Sequence, residues 1–163
     1  VQWGALDVLL IDLPPGTGDV QMTLAQKSEV TGAIVISTPQ DVALLDARKG
    51  IDMFNQLGTP ILGMIENMST HICSNCGHED AVFGAGGADK IVDDFDVPLL
   101  GRLPLDRRIR EQADSGRPTM VAEPDSAIAQ AYRQVAWNVG AALAAERVDH
   151  SAKFGSIVVE AAK

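Results

Sequence analysis

A parallel β-sheet covered by helices on both faces is the fold this sequence predicts. Three features carry the prediction: short runs that are apolar on every residue, amphipathic segments of helical period between them, and turn residues at each run's carboxyl end. Strands apolar on both faces belong inside such a sheet, shielded on either side by helices. The chain has 163 residues, about one domain on a prior of ~150 residues each. A domain that size buries enough surface to fold without disulfide or metal.

The elements follow in order. Residues 6–12 (LDVLLID) form an apolar run closed by an acid and broken by Pro14, Pro15, Gly16 and Gly18, which reads as the first strand. Asp19 is a good N-cap for a helix through about residue 28. Residues 33–37 (AIVIS) read as the second strand, ended by Thr38 and Pro39. Asp41 can cap the next helix, on which Leu44, Ala47, Ile51, Phe54 and Leu57 share one face. Gly58 stands where a C-cap glycine belongs, and residues 61–66 (ILGMIE) read as the third strand. The polar stretch 67–80 reads as a loop holding both cysteines. A helix over 88–95, a short strand over 98–103 and a helix over 106–115 come next, stopped by Gly116 and Pro118. The last long helix starts near Asp125 and buries Ile128, Ala131, Tyr132, Val135, Val139 and Leu143. The predicted domain is residues 1–146. Residues 147–163 read as a loosely ordered tail, with 156–159 the one stretch of strand composition.

In such sheets ligands bind beyond the carboxyl ends of the strands. Those ends, at residues 12–16, 37–40, 66–69 and 103–106, are expected side by side along one rim.

Composition narrows the functions. Thirteen Lys and Arg against 22 Asp and Glu give a net charge of −9 and a pI near 4.6, which argues against general nucleic-acid binding. A local anion site built from backbone N–H groups stays open, because it does not depend on net charge. Apolar runs such as 8–11 fall far short of the roughly 20 residues that span a bilayer, so no membrane partner is expected. No secretory leader is visible. The two cysteines, Cys73 and Cys76, suit a reducing, cytoplasmic compartment. The first residue is Val, and the chain runs at once into a strand, so a fragment whose true N-terminus lies upstream is expected.

Two constellations can carry chemistry. Asp12 closes an apolar run before a Pro/Gly turn, as does the carboxylate that nucleotide hydrolases use to hold Mg²⁺. Gly16 and Gly18 would let the backbone approach a terminal phosphate. On spacing alone the plainer reading, a strand-end Asp capping a turn, is favoured; the full string DLPPGTGD is less generic. The second is Cys73-Ser74-Asn75-Cys76, flanked by His71 and His78. Two thiolates fill half of a tetrahedral site. The histidines could complete it only with crowded geometry, and two cysteines from a second chain would do so more simply. A redox role is weaker, because redox C-x-x-C pairs sit at helix starts; inert surface thiols are the plain alternative. Gly84-Ala85-Gly86-Gly87 reads as a turn into the next helix, and Met64 and Met68 as core. No glycine in the chain is followed by lysine, so the G-x-x-x-x-G-K-[ST] phosphate loop is missing.

Together, residues 11–19 (IDLPPGTGD), 37–54 (STPQDVALLDARKGIDMF), 63–69 (GMIENMS), 73–77 (CSNCG) and 100–118 (LGRLPLDRRIREQADSGRP) resemble the Mrp/ApbC-type P-loop ATPases. These are iron–sulfur cluster carrier proteins, related more distantly to MinD- and nitrogenase-iron-protein-like ATPases. The resemblance runs from about Asp7 to Leu143. It implies a P-loop NTPase-like α/β fold with its N-terminal part missing, a homodimer, and ATP, Mg²⁺ and a bridging [4Fe–4S] cluster. By position, Asp12 resembles the Mg²⁺-associated acid and Gly16 the glycine facing the γ-phosphate. Asn67 resembles the residue reading the adenine edge, with Leu103 and Pro104 along the same pocket. Cys73 and Cys76 resemble the cluster ligands. The family's glycine-rich lysine loop is absent from this sequence, so the chain is expected to be either a C-terminal fragment of a longer protein or a degenerate relative, and the abrupt start favours the fragment. The implied function is ATP-dependent transfer of a [4Fe–4S] cluster to apo iron–sulfur proteins, with this chain alone inactive as an ATPase. The alternatives are a zinc-binding or scaffold module dimerising through its cysteine loops, and a MinD/ParA-like positioning ATPase.

Overall fold

Three of the apolar runs meet in one parallel sheet. The computed structural model describes residues 2–73 and 75–146; the tail expected at 147–163, with its strand-like 156–159, lies outside them. In chain order the elements are α1 (Asp19–Lys27), β1 (Ala33–Ser37), α2 (Asp41–Gln56), β2 (Ile61–Glu66), β3 (His71–Ile72), β4 (Glu79–Asp80), α3 (Gly87–Phe95), β5 (Leu99–Arg102), α4 (Arg107–Asp114), α5 (Thr119–Ala122) and α6 (Ala127–Ala145). The sheet order is β1-β2-β5, all parallel, and β3 and β4 form a separate antiparallel pair.

Alternation along the strands feeds two cores. On one face Leu44 and Ile51 of α2, Met64 of β2, and Ala88 and Ile91 of α3 pack with Val35, Ile61 and Leu99. On the other, Ile65, Leu100 and Leu103 meet Val135 of α6, with Ala131, Tyr132 and Val139 beside it. Burying apolar side chains on both faces at roughly 1.5–3 kcal/mol each is what holds the sheet between its helices. The expected architecture is therefore present.

Several local expectations are corrected. Residues 6–12 form no strand, and Leu6, Val8, Leu9, Leu10 and Ile11 are 48–77% exposed. An all-apolar run needs neighbours on both edges and both faces, and this one has no sheet partner among the described residues. The rim is thus built from three strand ends rather than four. Gly18 and Gln40, not Asp19 and Asp41, are the N-caps of α1 and α2, and the two acids sit in the first turns, where they complement the helix dipole. Ser126, one residue beyond Asp125, caps α6 by accepting from the Ala129 N–H. The 67–80 loop contains a hairpin. Met64 is fully buried, but Met68 is a half-buried turn residue with φ of +56° rather than core.

Candidate functional site

The three strands end in register, with Ser37 beside Glu66 and Glu66 beside Arg102. Beyond them the chain keeps bonding: the Asn67 N–H donates to the Ser37 carbonyl (2.7 Å), and the Leu103 N–H to that of Glu66 (2.8 Å). The Ser69 N–H and hydroxyl both donate to the Leu103 carbonyl (3.0 and 3.1 Å). Asn67 and Leu103 are thereby held together, with Pro104 next in line. The Asn67 Oδ1 accepts the Met68 N–H (2.9 Å), which steadies the left-handed Met68 turn. Leu103 turns its side chain into the core and is 8% exposed, so its backbone, already bonded, is what reaches the rim.

Glu66 is the residue the sequence reading passed over. It is 2% exposed, and its carboxylate accepts the Ala88 N–H at the start of α3 (2.8 Å) and Arg102 Nε (3.1 Å). Arg102 also pairs with Asp89. Burial works against the Arg102 charge, but Asp89 and then Glu66 outweigh it and hold the guanidinium above its ordinary pKa. The buried Glu66 carboxylate needs such partners. The signal was available, because Glu66 closes an apolar run just as Asp12 does. The same bond brings the 84–87 glycines to the rim, where a Cβ on Gly87 would stand 2.7 Å from the Pro39 carbonyl oxygen. That close approach requires glycine.

The cysteine hairpin grows from the same rim. The Leu105 N–H donates to the Thr70 carbonyl (2.7 Å), and His71 Nδ1 lies 2.9 Å from the Leu105 carbonyl, bonding as a donor. The Cys73 N–H donates to His78 (2.9 Å) and the Gly77 N–H returns to Cys73 (2.8 Å). Cys73 is half-buried and Cys76 exposed, both as free thiols. Hydrogen bonds from the backbone at Cys76 and then Asn75 hold the Cys73 thiol below its ordinary pKa; the Cys76 side chain and the His71 charge act the same way, against burial. That shift toward the thiolate needs no helix start, because turn N–H groups do the same work. Among the described residues no group of three or more His, Cys, Asp or Glu is arranged to hold a metal ion.

Asp12 and Gly16 stand apart from this assembly. Both are exposed, on the stretch before α1, and α1 reaches the rest by packing on α2. Gly16 adopts φ of +91° with open space where a Cβ would be, so backbone conformation rather than crowding calls for glycine. Gln21 of α1 is buried and donates to the Pro14 and Gly16 carbonyls (2.6 and 2.9 Å). No helix among the described residues is long and apolar enough to cross a membrane.

The profile of the NUBPL iron-transfer P-loop NTPases matches residues 1–140. The chain is 54% identical over 141 residues to the iron-sulfur cluster carrier protein of Pseudomonas fragi, covering 86% of this chain and 49% of that one. It is 53% identical to the carrier protein of Escherichia coli K12, covering 86% and 38%. Against the mouse iron-sulfur cluster transfer protein NUBPL it is 46% identical over 139 residues, covering 85% and 44%. Half or less of each relative's length is therefore spanned. Among solved structures, a nucleotide-binding protein of Archaeoglobus fulgidus in complex with ADP aligns with a TM-score of 0.65 at 39% identity, over 76% of this chain and 50% of that one. The cell division ATPase MinD of Pyrococcus furiosus aligns at 0.54 and 27%, over 68% and 43%. The three-stranded parallel sheet, its flanking helices and these matches lead to one family: the chain belongs to the NUBPL-type iron-transfer P-loop NTPases.

Proposed function

We propose that the chain is the C-terminal portion of an ATP-dependent iron–sulfur cluster carrier, with residues 1–146 belonging to its P-loop ATPase domain. The observation that carries this reading is the Cys73/Cys76 turn. It sits at an exposed hairpin tip whose base is hydrogen-bonded to residues 103–105, next to Asn67. A thiolate-favouring turn at a surface suits a cargo that must be handed on. Buried ligands would retain it.

Cys73 and Cys76 are two of the four cysteine ligands that a [4Fe–4S] cluster normally takes. A two-fold homodimer supplies the other two, because an isologous contact sets the same loop on both sides of the axis. In the nucleotide half, Asp12 serves as the Mg²⁺-associated acid and Gly16 faces the γ-phosphate. Asn67 reads the adenine edge, with Leu103 and Pro104 along the pocket. ATP hydrolysis changes how firmly the dimer holds its cargo, which then passes to apo iron–sulfur proteins in a reducing cytoplasm. The names of the curated relatives and the ADP bound to the Archaeoglobus relative support this reading. Because no glycine-lysine loop cradles the β- and γ-phosphates, the 163-residue chain alone is expected not to turn over ATP. Mg²⁺-dependent turnover by that chain, abolished in Asp12→Ala, would contradict this.

The test of function is transfer. Protein loaded anaerobically with iron and sulfide should reactivate an apo [4Fe–4S] enzyme, and Cys73→Ser or Cys76→Ser should abolish it. Equal reactivation by wild type and both variants would remove the carrier role.

A further inference from the structure

Gln21 lies in the first turn of α1 and is 3% exposed. Its Nε2 donates to the Pro14 carbonyl at 2.6 Å and the Gly16 carbonyl at 2.9 Å. Its Oε1 is fully buried and has no partner among the described residues; a Cβ built on Gly18 would stand 3.6 Å from it. The amide cannot be turned round, since its oxygen would then face two carbonyl oxygens. An unmet buried acceptor lowers stability, whereas an apolar side chain of similar shape avoids the loss. Packing alone therefore does not select glutamine here.

The two bonds have a geometric consequence. A trans peptide is planar, so a carbonyl and the following N–H point in opposite directions. Fixing the Gly16 carbonyl on Gln21 turns the Thr17 N–H away from α1. No acceptor among the described residues meets that N–H. The Pro14 carbonyl is followed by Pro15, which has no N–H, so the second bond steadies the loop without misdirecting a donor. The free N–H groups that open α1 lie next in sequence.

We infer that Gln21 is the positioning residue of the 14–18 loop: it aims the Thr17 N–H at a phosphate oxygen of the bound nucleotide. The inference rests on the nucleotide reading of residues 12–18. It assigns Gln21 a role through the loop, with no contact to the reacting atoms.

Two variants separate its functions. Gln21→Met removes both donors and the stranded acceptor, and Gln21→Lys keeps donors for the two carbonyls without an amide oxygen. In the full-length protein containing this sequence, Gln21→Met should lower kcat for ATP by roughly tenfold or more, since misaimed donors lose transition-state stabilisation. KM should change little, Tm should hold or rise, and Gln21→Lys should recover part of kcat. In the 163-residue chain, ¹⁵N relaxation should show the Gly16, Thr17 and Gly18 amides loosened by Gln21→Met and retightened by Gln21→Lys. Unchanged kcat with a lowered Tm would make Gln21 a packing residue and overturn the inference. Unchanged turnover in Asp12→Ala would instead sink the nucleotide reading and the phosphate role with it. The relaxation data, which need no nucleotide, would still report whether Gln21 holds the loop.

Discussion

Residues 6–12 and 61–66 are the same kind of sequence, an apolar run closed by an acid, and they end in opposite states. In β2 the run lies between β1 and β5, with buried side chains on both faces and Glu66 2% exposed. In 6–12 the run forms no strand, its large side chains are about half exposed or more, and Asp12 is exposed with them. The difference lies in the neighbours. A β-strand completes its backbone bonds only with partner strands, and apolar patterning alone supplies none. The terminal acid follows the same rule, for Glu66 has Arg102 and the Ala88 N–H of α3 to meet its charge.

Mutations can break or sharpen this contrast. Glu66→Ala should destabilise the chain by about 1–3 kcal/mol, because it leaves the buried Ala88 N–H without its acceptor while Arg102 keeps only Asp89; Asp12→Ala should stay within about 0.5 kcal/mol. Equal losses in urea unfolding would dissolve the distinction between the two acids. Ile65→Ala should cost about 2–4 kcal/mol by opening a cavity against α6, while Leu10→Ser, at a residue 77% exposed, should be nearly neutral. A large loss at Leu10 would mean that the first run is packed in solution.

A smaller effect tests the rim's other border. Asp106 caps α4, accepting the Arg108 N–H at 2.8 Å, and the Arg108 side chain holds its carboxyl below the usual carboxylate range, against burial. Asp106→Ala should cost about 1 kcal/mol. A depressed folded-state pKa makes this contribution full above the unfolded value near 3.9 and lost as pH falls through the folded one. The difference between wild type and Asp106→Ala should therefore shrink below about pH 4 in thermal melts, and a gap that widens in acid would contradict the assignment.

Much of this was legible in the residues. The runs AIVIS and ILGMIE, the face Leu44-Ala47-Ile51 and the Gly58 stop describe local preference, and local preference was enough where neighbours existed. The Glu66–Arg102–Asp89 cluster was not legible, because its members are 36 and 13 positions apart and are joined only by the β2–β5 register and the start of α3 beside it. Gln21 escaped for the same reason, its partners being carbonyls of a loop whose path no side-chain pattern encodes. The cysteine pair was visible at once, but the lowering of the Cys73 pKa was not, since it comes chiefly from N–H groups within the turn.

In the carrier we propose, Cys73 and Cys76 hold their cargo between two chains. Anaerobic reconstitution followed by native mass spectrometry with iron and sulfide analysis tests it most directly. Roughly four irons per two chains, with a shift from monomer to dimer, is the result expected from a cluster with four cysteine ligands; both should vanish in Cys73→Ser and in Cys76→Ser. A single metal bound per monomer, with no change in mass class, would contradict it.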